Sequence, residues 1–251
     1  MSAAPTSLPP VSRVAWPQAV RIIRSRFPPI DLFEDIADPA DWDALARAET
    51  KTNPRFELSI GRLDLVPAER RVGGPGSSWV MAPFTHASPD RPSRFSDGVF
   101  GVYYAASSFE GALAETMHHH ARFMAATDEP PGWTSDFREL IGKVEAELHD
   151  LRTGGDWAGC LAPDNYSASQ ALGAELRAGG SNGVVYPSVR QPGADCLGAF
   201  YPDVIGVPAQ GRHLSYHWDG ERIDQLKDVT SGVAYRVEDS SPAPSDFASP
   251  R

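Results

Sequence analysis

Only two cysteines, Cys160 and Cys196, occur in 251 residues, and they do not form a C-x-x-C pair. That excludes a disulfide framework and a thiolate zinc site, and each thiol is expected as a small buried hydrophobe in a reducing compartment. No run of about eighteen apolar residues is present, so no membrane helix is expected. The start, MSAAPTSLPPVSRVAWP, has no basic segment leading into an apolar core. No secretory leader is read there, and the cytoplasm is the expected compartment. Also missing are G-x-G-x-x-G, G-x-x-x-x-G-K-[ST] and G-x-S-x-G, which removes the usual signatures of dinucleotide folds, P-loops and α/β-hydrolases. Positive charge is scarce as well: 23 Lys and Arg against 33 Asp and Glu leave a net charge of -10. Such a chain repels nucleic-acid phosphates, and the basic clusters at Arg21 to Arg26 and at Arg70 with Arg71 are too short to outweigh it. The same acidity would speed an encounter with an arginine-rich face of a protein partner.

What is present reads as one domain with loose ends. Pro, Ser and Ala crowd both termini, giving a flexible N-terminal segment at 1–13, a folded domain over 14–236 and a disordered tail at 237–251. Within the domain, AVRIIRS (19–25), WVMAPFTH (79–86) and ELIGKVEAELHDL (139–151) read as strands, and DWDALARAETK (41–51) reads as a helix capped by Asp41. GVFGVYYAA alternates as a strand and runs into a helix that carries Phe109, Leu113, Met117, His120 and Met124 on one stripe. Ser107 and Glu110 form a capping box that starts this helix near Ser108, and Ser167 with Gln170 forms another for SASQALGAELRAGG, which stops at Gly179-Gly180. NGVVYPSVR and CLGAFYPDVI follow as strands, and HLSYHWDGERI is a hairpin about its D-G turn. Strands outnumber helices and do not alternate regularly with them, so the expected class is α+β.

The residues that carry chemistry are few. Glu115 lies nearly opposite the apolar stripe of its helix, with small side chains on the turns before it, a pattern shared by a solvated-face glutamate and by a carboxylate that a ligand approaches closely. Arg94, between a polar loop and a strand, is either a surface arginine or a fork for phosphate oxygens. Tyr103 and Tyr104 point to opposite faces, so one can enter the core while the other offers an aromatic plane. Ser188 is a turn hydroxyl that can also donate to a ligand, and His86 stands at the end of WVMAPFTH. Glu115-x-x-His118 imitates half of a carboxylate-bridged metal site, but no second such helix exists, so no metal is assigned to His118, His119 or His120.

RFSDGVFGVYYAASSFEGALAE (94–115), followed some seventy residues later by SNGVVYPSVRQPGADCLGAF, resembles the RES domain family, and the likeness extends over most of residues 19–223. The resemblance implies an ADP-ribosyltransferase-like fold, a split β-sheet with flanking helices around a cleft for NAD+. It implies a toxin of a bacterial toxin-antitoxin pair, one that destroys NAD+ or transfers its ADP-ribose to a target protein. NAD+ would be a substrate, with no further cofactor and no metal, and the partner would be an antitoxin with a DNA-binding helical domain. Carried over, the catalytic residues are Glu115, Arg94 and Tyr104, and the NAD-binding residues are Arg21 (with Arg24 as the rival), Ser188 and His86. A long segment between the first strand and Arg94 departs from compact family members. A module that binds a nucleotide or a protein without turnover is the alternative.

Overall fold

The computed structural model describes residues 8–25, 38–50, 60–153 and 155–237. Among these, eight strands form one sheet: β1 (Val11–Arg24), β2 (Tyr103–Ala106), β3 (Trp133–Asp150), β4 (Gly183–Pro187), β5 (Asp195–Ala199), β6 (Ala209–Trp218), β7 (Ile223–Asp228) and β8 (Ala234–Arg236). Their order is β1-β2-β5-β4-β3-β6-β7-β8, and β1 also pairs with β3. That extra pairing closes β1, β2, β5, β4 and β3 into a ring, from which β6, β7 and β8 extend as a wing. One edge of β3 is divided: antiparallel β6 occupies Trp133–Ile141, and parallel β4 takes His149 and Asp150. Between them Gly206 and Ile205 approach instead, the Gly206 N–H donating to Lys143 O at 2.8 Å. The sheet is thus split at β3, with helices flanking it: the protein is a mixed α+β fold.

The 18 residues of β3 show how alternation and irregularity combine. Ser135, Phe137 and Glu139 are buried on one phase, and Leu140, Gly142, Val144, Leu148 and Asp150 on the other. The phase changes where the register against β6 shifts, between Arg138 and Leu140. The extra residue belongs to β6, where Gly211 and Arg212 stand opposite Glu139, so β3 itself keeps its alternation and only its buried face changes there. Glu139 is buried at that irregularity, and its carboxylate accepts from the Arg212 N–H at 3.0 Å, with Arg212 Nε 3.4 Å away.

Helices α1 (Trp42–Thr50), α2 (Ser78–Thr85), α3 (Phe109–Ala125) and α4 (Ser167–Ala178) and four single 3-10 turns complete the described elements. Leu113, Met117, His120 and Met124 of the α3 stripe are buried as expected and Phe109 is half-buried, with His120 edge-on to Phe137 at 4.9 Å and Phe137 stacked on Tyr216 at 4.2 Å. WVMAPFTH, expected as a strand, is α2: Val80, Met81 and Phe84 are buried at helical spacing, and the apolar run is too short for composition to distinguish the two. Gly101 lets β2 approach α2, since a Cβ there would lie 2.2 Å from Pro83 O.

Several boundaries also differ. Residues 11–13, expected in a loose terminus, belong to β1 and pair with Glu147, Leu148 and His149. Val237, expected in the tail, is buried, and its N–H donates to Asp224 O at 2.8 Å. Residues 238–251 lie outside the described residues. Ser108, not Ser107, caps α3 by accepting from the Gly111 N–H, while Ser107 Oγ accepts from Asp195 N at 3.0 Å. Asp38, not Asp41, caps the turn ahead of α1. For α4 the hydroxyl and N–H of Ser167 both donate to Asn165 Oδ1.

Candidate active site

Close approach of small groups puts Glu115 where it is. At the first turn of α3, a Cβ on Gly111 would sit 3.0 Å from the Ala194 Cβ and 3.2 Å from that of Ala106, so the helix starts almost in contact with the ends of β2 and β5. One turn later the Glu115 side chain reaches across to the end of β4. There Ser188 Oγ donates to Glu115 Oε1 at 2.9 Å, and the Cys196 thiol of β5 lies 4.0 Å from the same oxygen. The hydroxyl is itself fixed by accepting from the N–H groups of Arg190 and Gln191 at 3.2 and 3.0 Å. Burial holds the Glu115 carboxyl above its usual range; the Ser188 bond and the charges of Arg94 and Arg190 oppose the shift. Burial, with the Glu115 charge second, pushes the Cys196 thiol far up, so it is a neutral contact rather than a nucleophile.

The segment before β2 is held just as tightly. The Ser93 N–H donates to Ser96 O at 2.7 Å, Ser96 Oγ donates to Phe100 O, and Gln170 Nε2 of α4 donates to Ser93 O at 3.0 Å. Gly173 of α4 touches the same segment so closely that a Cβ would meet Phe95 O at 2.0 Å. From this cradle Arg94 turns inward and is buried, its Nη1 donating to Cys160 O at 3.2 Å and Ala162 O at 2.9 Å and its guanidinium lying 4.6 Å over the Tyr166 ring. The Tyr104 hydroxyl donates to Ser93 Oγ and accepts from the Phe95 N–H, both at 2.9 Å. Burial pushes its pKa up to about 12, so it stays a phenol.

Alternation separates the two tyrosines. Tyr104 pairs with Gly198, Ala106 with Cys196, and Cys196 with Tyr186, so these residues share the face that carries Glu115 and Ser188. Tyr103 is fully buried on the other face. Arg21 joins Tyr103: its guanidinium is 4.5 Å over that ring, its Nη1 donates to Tyr104 O at 3.0 Å, and burial lowers its pKa. Arg24 goes elsewhere, to Ser135 Oγ and the Phe123 ring. His86 ends α2, with its Nδ1 near Ala82 O and Thr85 Oγ1. The structure therefore gathers Glu115, Ser188, Arg94 and Tyr104 about one end of the sheet and leaves Arg21 on the opposite face of β2.

The RES domain model matches residues 68–219, from the turn before α2 to the hairpin after β6. The chain belongs to the RES domain family. A relative is the uncharacterized protein y4oC of Sinorhizobium fredii, 31% identical over 211 residues that make up 82% of this chain and 85% of that protein. Among solved structures, the M. tuberculosis MbcT-MbcA toxin-antitoxin complex aligns with 80% of this chain over 85% of its own, at 13% identity and a TM-score of 0.42. The RES match includes His86, Arg94, Tyr104, Glu115 and Ser188, and Arg21 precedes it.

Inside the RES domain, the sequence did not point to Arg190 or Tyr166, and Cys196 reads there only as a small buried hydrophobe, not as a neighbour of Glu115. Arg190 was visible only as the cation two residues beyond Ser188, and Tyr166 only as the residue before a helix. His118, three residues after Glu115, is half-buried, and its Nε2 is a buried atom with no hydrogen-bond partner. Burial, reinforced by Arg190 and Arg122, lowers its pKa, so it is neutral near pH 7. Among the described residues no group of three or more His, Cys, Asp or Glu could hold a metal ion, and no helix is long and apolar enough to cross a membrane.

Proposed function

We propose that this RES domain cleaves the nicotinamide-ribose bond of NAD+. The observation that carries the proposal is the Glu115 carboxylate: partly buried, raised in pKa, oriented by Ser188 at 2.9 Å and neighboured by Arg94 and Arg190. As the bond to nicotinamide breaks, its electron pair leaves with the base and positive charge develops on the ribose. A fixed, poorly hydrated carboxylate beside that sugar stabilises the charge, as carboxylates do in glycoside hydrolysis. Burial makes the ionised carboxylate costly in the empty site, so it gains most when the oxocarbenium forms. Tyr104, its hydroxyl tied down by Ser93 and Phe95, presents a fixed ring for the nicotinamide to stack on. Arg94 fastens the 160–162 segment over the site and adds positive potential. The acceptor, whether water, phosphate or a protein side chain, bonds to the ribose carbon and releases a proton.

In the cell this chemistry makes the chain the toxin of a toxin-antitoxin pair acting in the cytoplasm, neutralised by an antitoxin with a DNA-binding helical domain that covers the cleft. The family membership and the site geometry support this reading. Expression of the chain is expected to arrest growth with loss of cellular NAD+, and Glu115→Gln is expected to relieve both. Mass spectrometry of the products formed in buffer, with phosphate and with cell extract, identifies the acceptor. Growth arrest that persists undiminished in Glu115→Gln would contradict the proposal.

A further inference from the structure

Glu115, His118 and Arg122 follow one another on one side of α3 at spacings of three and four residues. At 1.5 Å per residue, Arg122 stands about 10 Å along the axis from Glu115. Running past this row is the segment that Arg94 fastens. Its next residues reach two further arginines: Arg190 Nη2 donates to Pro163 O at 2.8 Å and lies 3.5 Å from Asp164 Oδ1, and Arg122 Nη1 lies 3.7 Å from the same oxygen. One carboxylate oxygen of the chain therefore bridges two guanidinium groups at the border of the site.

The bridge is loosely made. Both distances exceed those of a strong charge-assisted bond, and the Asp164 side chain is 72% exposed. An ion pair with so exposed a carboxylate contributes little, so Asp164 is readily displaced. Arg190 is different: its side chain is only 16% exposed and is anchored by Pro163, and its N–H also bonds Ser188 Oγ. Its charge is felt at Glu115, His118 and His119. A group that brings several anionic oxygens can bind both arginines at once, which a single carboxylate oxygen does poorly.

We infer that Arg190 and Arg122 form the pyrophosphate subsite of the dinucleotide site, and that Asp164 occupies it as a displaceable internal anion until the substrate binds. The inference rests on the NAD+ reading above and deepens it: the dinucleotide lies along α3, its nicotinamide ribose at Glu115 and its phosphates beyond His118 toward Arg122. Arg21, on the far face of β2, takes no part. The subsite also gives Asp164 a role opposite to that of a binding residue, since its removal should strengthen binding.

Inorganic pyrophosphate titrated into the full-length protein by calorimetry tests this without requiring turnover. Asp164→Asn is expected to bind about two- to fivefold more tightly, the fold-change equivalent to one exposed pair. Arg190→Gln and Arg122→Gln are expected to bind at least several-fold more weakly, and the exposed Arg122 serves as the safer probe should Arg190→Gln fail to fold. The KM for NAD+ should move in the same directions. Pyrophosphate binding that is unchanged in both Asp164→Asn and Arg122→Gln overturns the subsite. If NAD+ is not cleaved while these binding shifts are found, the NAD+ reading falls and the anion subsite stands.

Discussion

Ser188 Oγ donates a 2.9 Å hydrogen bond to Glu115 Oε1, joining the end of β4 to the second turn of α3 across 73 residues of sequence. The bond stabilises the ionised carboxylate against the burial that disfavours it. Removing it with Ser188→Ala should let the Glu115 pKa rise further. Because the ionised form is the active one, the acid limb of the pH-rate profile for NAD+ cleavage is expected to move to higher pH in Ser188→Ala. A profile displaced only in height, with its acid limb in place, would show that the serine does not act through Glu115.

Glu115 should carry a stability penalty along with its function. An acid whose folded pKa is raised binds more protons folded than unfolded between the two values, so stability falls as pH rises through that window. Glu115→Gln, which cannot ionise, escapes the loss. Its melting temperature near pH 7 is expected to equal or exceed that of the wild type, while activity falls about a hundredfold to a thousandfold. A lowered melting temperature would identify Glu115 as a structural support of α3.

His120 makes the opposite prediction. Its imidazole is buried against Phe137, its Nε2 has no partner, and burial lowers its pKa from 6.5 to about 4. A base depressed on folding binds fewer protons folded than unfolded, so stability is lost as pH falls from about 6.5 toward about 4. His120→Leu should melt with less pH dependence across that window, as measured by thermal unfolding at several pH values. An identical pH dependence in the two proteins would place the titration elsewhere.

Gly173 links packing to the site. A methyl there would lie 2.0 Å from Phe95 O, beside Arg94, whereas one on Gly179 meets only carbonyl oxygens at 3.5 Å. Gly173→Ala is expected to cost about 1–3 kcal/mol and to reduce activity by shifting Arg94, with Gly179→Ala close to wild type in both. Equal behaviour of the two variants, in melting temperature and in rate, would show that the Arg94 segment is not held by α4.

Much of this was legible in the sequence, for physical reasons that vary from element to element. The stripe on α3 and the D-G hairpin are local signals, and both are present in the fold. The ring closed by β1 and β3 was not legible, because strand pairing across more than a hundred residues leaves no local trace. WVMAPFTH reads as a strand because so short an apolar run suits either period, and Ser107 reads as the cap because two adjacent serines compete for it. Alternation along VYYA separated the tyrosines without saying which one faces the cleft. Pattern alone favoured a solvated face for Glu115, and only the fold shows Ser188 arriving beside it. Arg190 and Asp164 went unnoticed because an arginine after a turn and an aspartate in a loop have no spacing to betray them.

The most direct test is nicotinamide release from NAD+, quantified by chromatography, using purified wild-type protein and Glu115→Gln at matched concentration. Steady release by the wild type and a loss of about a hundredfold or more in the folded variant are the predicted result. Equal release by both proteins, or none by the folded wild type, would contradict cleavage at Glu115.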